Sequence, residues 1–130
     1  MRSAAMLFIM FFSLKSMAVE LVTEKLSTGA HRVIGYKNIT EPMLDPMDNC
    51  QQGSALIIAK GKVKIHGEFG IFPMVIGNRK TEVDVDFRVF TKSHREQFLK
   101  FIKNNQSYRV KFQACGNAAV ISLIDISLIK

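Results

Sequence analysis

Residues Thr81 to Phe90 alternate almost without a break, with Val83, Val85, Phe87 and Val89 on one side and Glu82, Asp84, Asp86 and Arg88 on the other. A period of two sends successive side chains to opposite faces of a strand, so this stretch buries one face and wets the other only within a sheet. Its neighbours read the same way. Ala55 to His66 reads as a strand whose second half sets Ala59, Gly61, Val63 and Ile65 against Lys60, Lys62, Lys64 and His66. Gly67 and Gly70 break that run, Phe69 to Met74 is an apolar connection with room for a short strand of its own, and Gly77-Asn78 signals a turn.

After Phe90 the period changes. Ser93-His94-Arg95-Glu96 matches a capping box, and Phe98, Phe101 and Ile102 follow at helical spacing with Leu99 beside them. Asn104-Asn105 ends this predicted helix. Tyr108, Val110 and Phe112 then alternate with Arg109, Lys111 and Gln113, and Gly116-Asn117 turns the chain into Ala118–Ile129, a strand apolar on both faces. Upstream, Glu41 to Gly53 crowds Pro42, Asp45, Pro46, Asp48 and Asn49 into a loop, and Val19 to Thr40 fits neither period cleanly, with room for a strand around His31–Tyr36.

The amino end reads as a cleavable export signal over residues 1–18. Arg2 supplies a charged start, Ala4 to Phe12 is an unbroken apolar run, and Ser16-Met17-Ala18 puts small residues where a signal peptidase cuts. The run falls short of the ~20 residues that span a bilayer, and no later segment could span one. Two of the chain's 18 Lys and Arg, Arg2 and Lys15, lie in this leader, which holds none of the 11 Asp and Glu. The net charge of +7 therefore falls by two to +5 for the remaining chain, which keeps a small domain soluble and favours anionic surfaces. The expected division is 1–18 leader, 19–53 N-terminal extension with its Pro-containing loop, and 54–130 β-barrel-like domain.

Cys50 and Cys115 both follow the leader. In an exported chain an even count of cysteines points to a disulfide, here closing a loop of about 65 residues worth ~4 kcal/mol. The order strand, strand, connection, helix, strand, strand is that of an OB-type five-stranded barrel, closed or half open. In that topology the first and fourth strands are antiparallel neighbours, so Cys50, just before the first, lies beside Cys115, at the end of the fourth. An open antiparallel α+β sheet with one packed helix is the alternative.

In layout the chain resembles the bacterial periplasmic OB-fold proteins. The likeness rests on the leader, the overall length, the Val-Asp-Val-Asp core of Thr81–Phe90 and two closing strands near the C-terminus, and it covers about residues 54 to 129. It implies a binding module without catalysis and transfers no functional residue; the helix and the cysteine pair depart from that group.

No catalytic or cofactor motif stands out. His31, His66 and His94 lack metal-ligand spacing, and no GxSxG, phosphate-binding glycine loop or CxxC occurs. Glu82, Asp84 and Asp86 are spaced about 6.8 Å apart along a strand, too far for one compact cation shell. If the strands at 55–66 and 81–90 pair, Lys64 faces Asp84 and Lys62 faces Asp86 as a charge ladder. Asn38-Ile39-Thr40 and Asn105-Gln106-Ser107 match glycosylation sequons. Two surfaces remain as candidates. Lys60, Lys62, Lys64, Arg109 and Lys111 would form a basic stripe on neighbouring strands, and Phe69, Ile71, Phe72 and Met74 would form an apolar partner loop or else plug the barrel end. Nucleic acid is disfavoured, since Trp is absent and only Tyr36, Phe69 and Phe72 are free for base stacking. The expected function is a small secreted or periplasmic, non-enzymatic binding module of the cell envelope, needing no cofactor or metal and recognising a protein or an anionic glycan. The alternative is an inhibitor or immunity-type protein that blocks a hydrolase with a loop.

Overall fold

The structure, a computed structural model, describes residues 18–41, 49–116 and 120–129, with the backbone alone at Val120. The expected leader up to residue 17 and the prolines of the 41–53 loop lie outside the described residues. The strands are β1 (Glu20–Lys25), β2 (His31–Lys37), β3 (Cys50–Ala59), β4 (Lys64–His66), β5 (Phe69–Ile76), β6 (Arg79–Asp86), β7 (Ser107–Cys115) and β8 (Val120–Leu128). A 3-10 turn, Phe87–Val89, and helix α1, Lys92–Phe101, join β6 to β7.

Five strands close on one another. β3 pairs β5, β5 pairs β6, β6 runs parallel to β8, β8 pairs β7, and β7 returns to β3. This is the OB-like barrel, with its helix before the fourth barrel strand and its first and fourth strands antiparallel neighbours. Closure leaves no exposed edge in the ring. Inside it lie Ile57, Ala59, Phe72, Met74, Val83, Val85, Tyr108, Val110, Leu123 and Ile126, all buried. Helix α1 stoppers one end with Phe98, whose ring meets those of Tyr36, Phe87, Phe90 and Phe101 at centroid distances of 5.1, 6.0, 5.5 and 6.2 Å. The contacts with Tyr36, Phe87 and Phe90 are edge-on, a geometry that adds to the burial energy of each ring.

The N-terminal segment belongs to the same body. β1 and β2 form a hairpin that joins β8 through Gly35↔Ser127 and Tyr36↔Ile126, and Val19, Tyr36 and Ile39 enter the core. The expected boundary at residue 54 falls inside β3, whose pairing with β7 starts at Cys50.

Three local expectations are corrected. The strand expected through His66 stops at Ala59: the Lys60 N–H donates to the Pro73 carbonyl at 2.8 Å, and the chain crosses to β4. Both β3 and β4 then pair the same edge of β5, β4 at 69–71 and β3 at 74–76. Pro73 lies between these two stretches, where the regular ladder along this edge is interrupted. Second, Phe69 to Met74 is no exposed loop but most of the central strand β5, with Phe72 0 % and Met74 1 % exposed. Because β5 lies between β4 and β6, Lys64 is opposite Ile71 and Ile71 opposite Asp84, so the expected charge ladder does not form. Third, α1 starts two residues earlier than the capping box predicts. Thr91 is the N-cap, its hydroxyl accepting the His94 N–H at 3.1 Å, since Phe90, held in the aromatic cluster, sets where the chain enters the helix.

Candidate functional site

The expected basic stripe is divided by the fold. Lys60 leaves the end of β3 and donates to the Asn105 side chain at 3.0 Å. Lys62 lies exposed in the crossing to β4, and Lys64 opens β4 beside Lys80 and Glu82. Exposed Leu56 and Ile58 separate Lys60 from Arg109 along β3. Of the five cations, only Arg109 and Lys111 stay together, two residues apart on the outer face of β7.

That pair belongs to a groove on the outside of the barrel. Across the sheet one registered row runs Leu56, Arg109, Ser127, Gly35, Val22, and the next begins Ser54, Lys111, Asp125. The middle of the first row is small. Ser127 makes a low floor next to the buried Gly35, while Arg109 stands on one side and the β1–β2 hairpin on the other. Gly35 is needed there: a Cβ atom would come within 2.7 Å of the Ile126 carbonyl oxygen and 3.1 Å of the Ser127 Cβ, so only glycine lets β2 lie this close to β8. The register of β1 and β2 shifts between Val22 and Thr23, leaving Ile34 as an extra residue, and Ile34 joins Val22 as the aliphatic wall. The resulting groove has a volume of about 570 Å³ and adds Lys37 to the two cations of β7.

Its electrostatics are those of a cationic surface. Among the described residues, Lys37, Arg109 and Lys111 make no ion pair. The one acid, Asp125, already accepts the Asn38 backbone N–H at 3.0 Å, where Asn38 adopts φ 62° at the end of β2. No aromatic ring lines the groove among the described residues.

The other expected surface does not assemble as a site. Phe72 and Met74 are core residues, Ile71 is half-buried in mid-strand, and Phe69 lies under the Arg88 guanidinium at 5.1 Å. Tyr36, read as a free aromatic, is buried. On β6, burial pushes the Asp84 carboxyl up, helped by the charge of Asp86, and one Asp84 oxygen is sealed without a hydrogen-bond partner. Asp86 goes the other way: burial alone would raise it, but hydrogen bonds from the Arg88 side chain and backbone, with the Arg88 charge, hold it below the usual range. No group of three or more His, Cys, Asp or Glu placed to hold a metal ion occurs among the described residues.

Cys50 and Cys115 are joined as expected, across the first registered pair of β3 and β7. Such a bond is consistent with an oxidising extracellular or periplasmic compartment. No helix among the described residues is long and apolar enough to cross a membrane.

Sequence reasoning missed Val22, Ile34, Gly35, Lys37, Asp125 and Ser127. The one signal for them was Gly35, a glycine inside a strand, which marks close backbone approach. Compared with known proteins, the chain matches no family model, no curated protein and no solved structure.

Proposed function

We propose that this protein is a small exported, non-catalytic binding module that holds an acidic, extended peptide segment of a partner protein in the groove of β2, β7 and β8. The observation that carries this reading is the combination of three ion-pair-free cations with an aliphatic wall around a floor at Ser127, beside which the buried Gly35 lets β2 approach β8. Arg109 and Lys111 are two residues apart on one strand face, about 6.8 Å, which is also the spacing of side chains i and i+2 on an extended peptide. Acids on alternate positions of such a peptide meet both cations together, while its intervening backbone crosses the small floor.

The wall selects between partners. Glycans and unstacked bases pack their flat faces on aromatic rings, and the groove's wall is Val22 and Ile34 instead. Aliphatic side chains beside cations suit a peptide that mixes acids with Val or Leu. The disulfide supports a place in the secreted or periplasmic space, where such a partner would be met. The Phe69–Met74 residues, considered as an apolar partner loop, are a barrel strand and leave the groove as the surface for a partner.

The test is a titration of the protein with the peptide acetyl-Leu-Asp-Val-Asp-Val-amide, its Asn-for-Asp counterpart and a sulfated disaccharide repeat, followed by amide chemical shifts. The expected result is saturable shifts at Gly35, Arg109 and Ser127 with the acidic peptide alone, weakening as salt rises. Arg109→Glu with Lys111→Glu should weaken it at least tenfold with an unchanged circular dichroism spectrum. Equal binding of the Asn peptide, preferential binding of the sulfated sugar, or no loss in the double variant would each overturn the reading.

A further inference from the structure

On the other face of β2 lies a second concavity, a cleft of about 760 Å³ between α1, the turn after it, β2 and the end of β8. This falls within the roughly 300–1,000 Å³ range of small-molecule sites. Its floor contains Tyr36, which is only 1 % exposed and whose ring is held between Phe98 and Phe101, both at 5.1 Å. Among the described residues the Tyr36 hydroxyl has no hydrogen-bond partner, and it is not among the polar atoms sealed from solvent. Tyr36 lines this cleft.

The chain's second tyrosine shows what a structural hydroxyl looks like in this fold. The Tyr108 hydroxyl donates to the Phe101 carbonyl at 2.6 Å and accepts the Lys103 N–H at 2.9 Å, so both of its capacities are used. Buried phenols ordinarily find such partners. Tyr36 has no such partner among the described residues and lines the cleft.

Around that donor the cleft is amphipathic. Val33, Phe101 and Leu128 are partly buried apolar residues packed on the core, and they offer an apolar bed. Lys100 and Lys103 stand exposed at the rim and make no ion pair among the described residues, whereas Arg32, also at the rim, is committed to Glu24. At this end of α1 the Phe101 carbonyl accepts from the Tyr108 hydroxyl, and just beyond it the Lys103 carbonyl accepts the Gln106 N–H.

We infer that this cleft is a binding site for a small amphipathic monocarboxylate, whose apolar body lies on Val33, Phe101 and Leu128 while its carboxylate accepts from the Tyr36 hydroxyl and is neutralised by Lys100 and Lys103. The site shares Leu128 with the lining of the peptide groove but does not depend on that assignment.

Octanoate, 1-octanol and acetate divide the recognition into its parts, and the experiment is a titration of each into the protein followed by amide shifts. Octanoate should saturate with shifts at Tyr36, Phe101 and Leu128, and octanol and acetate should each bind at least tenfold more weakly. Tyr36→Phe keeps the ring contacts and removes the donor, so it should weaken octanoate about tenfold while the melting temperature holds or rises. Lys100→Gln with Lys103→Gln should remove the preference for octanoate over octanol. Octanoate shifts located elsewhere, octanol binding equal to octanoate, or full affinity in both variants would overturn the inference. A carboxylate presented by a peptide C-terminus would instead show as tighter binding of acetyl-Leu-Leu with a free carboxylate than of octanoate, and would overturn the assignment to a small molecule.

Discussion

Cys50 and Cys115 face each other directly as the first registered pair of β3 and β7, with Cα atoms 3.9 Å apart and their sulfurs bonded. The bond spans 65 residues of sequence and so encloses four of the five barrel strands. Replacing both cysteines by serine should lower the unfolding free energy by ~4 kcal/mol, chiefly by freeing the unfolded chain. The amide spectrum should keep its native pattern, because the β3–β7 ladder continues through eight further pairs down to Ile58↔Ser107. Urea denaturation of the double variant checks this, and a loss below ~1 kcal/mol would show that the reduced chain retains the pairing when unfolded.

The two buried tyrosines should respond differently to loss of their hydroxyls. Tyr108→Phe strands the Phe101 carbonyl and the Lys103 N–H in a part-buried site, at a cost of ~1–3 kcal/mol. Hydrogen exchange should quicken in the last turn of α1. Tyr36→Phe removes a hydroxyl with no partner among the described residues, and its phenol is pushed up to about 12 by burial alone. That change should leave stability level or slightly raised, measured by the same denaturation series.

Asp84 and Asp86, two residues apart on β6, should give opposite pH signatures. The Asp84 carboxyl is raised, so the cost of ionising it is absent below the ordinary value of ~3.9 and fully present above its own raised value. Asp84→Asn should therefore stabilise the protein at pH 7 and do nothing at pH 3. The Asp86 carboxyl is lowered by Arg88, so its contribution is present above ~3.9 and is lost as pH falls through its depressed value. Asp86→Ala should cost about 1 kcal/mol at pH 7, mostly through the lost cap of the 3-10 turn, since the ion pair with Arg88 is exposed and worth little. Thermal melts of both variants from pH 3 to 7 separate the two.

Gly35→Ala places a methyl group 2.7 Å from the Ile126 oxygen, which is backbone and cannot step aside. The β1–β2 hairpin must move off β8, at about 1–3 kcal/mol for the overpacking. Faster exchange of the Tyr36 and Ile126 amides and loss of the acidic peptide's binding are the expected readouts. Unchanged exchange with native affinity would mean that the groove does not depend on this approach.

What the sequence determined by itself was local and periodic. Alternation at 81–90 and 108–113, the helical spacing of Phe98, Phe101 and Ile102, and the turn at Gly77-Asn78 depend only on near neighbours, and they were enough to order the barrel's elements and to join Cys50 with Cys115. Tertiary structure decided what depends on who lies beside whom. The Phe69–Met74 run lacks a polar alternation because its outward residues Phe69, Ile71 and Pro73 are apolar as well, and so it reads equally well as loop or core. Neither the bend after Ala59 nor the helix start at Thr91 is written in a period; one follows from β3 and β4 sharing an edge of β5, the other from Phe90 being held in the aromatic cluster. The groove and the cleft belong to the same class. Each draws its residues from the β1–β2 hairpin together with barrel strands or helix tens of residues away, and the concavity exists because Gly35 and Ser127 are small where their neighbours across the sheet are large, a property of registered rows that appears only once the strands have paired.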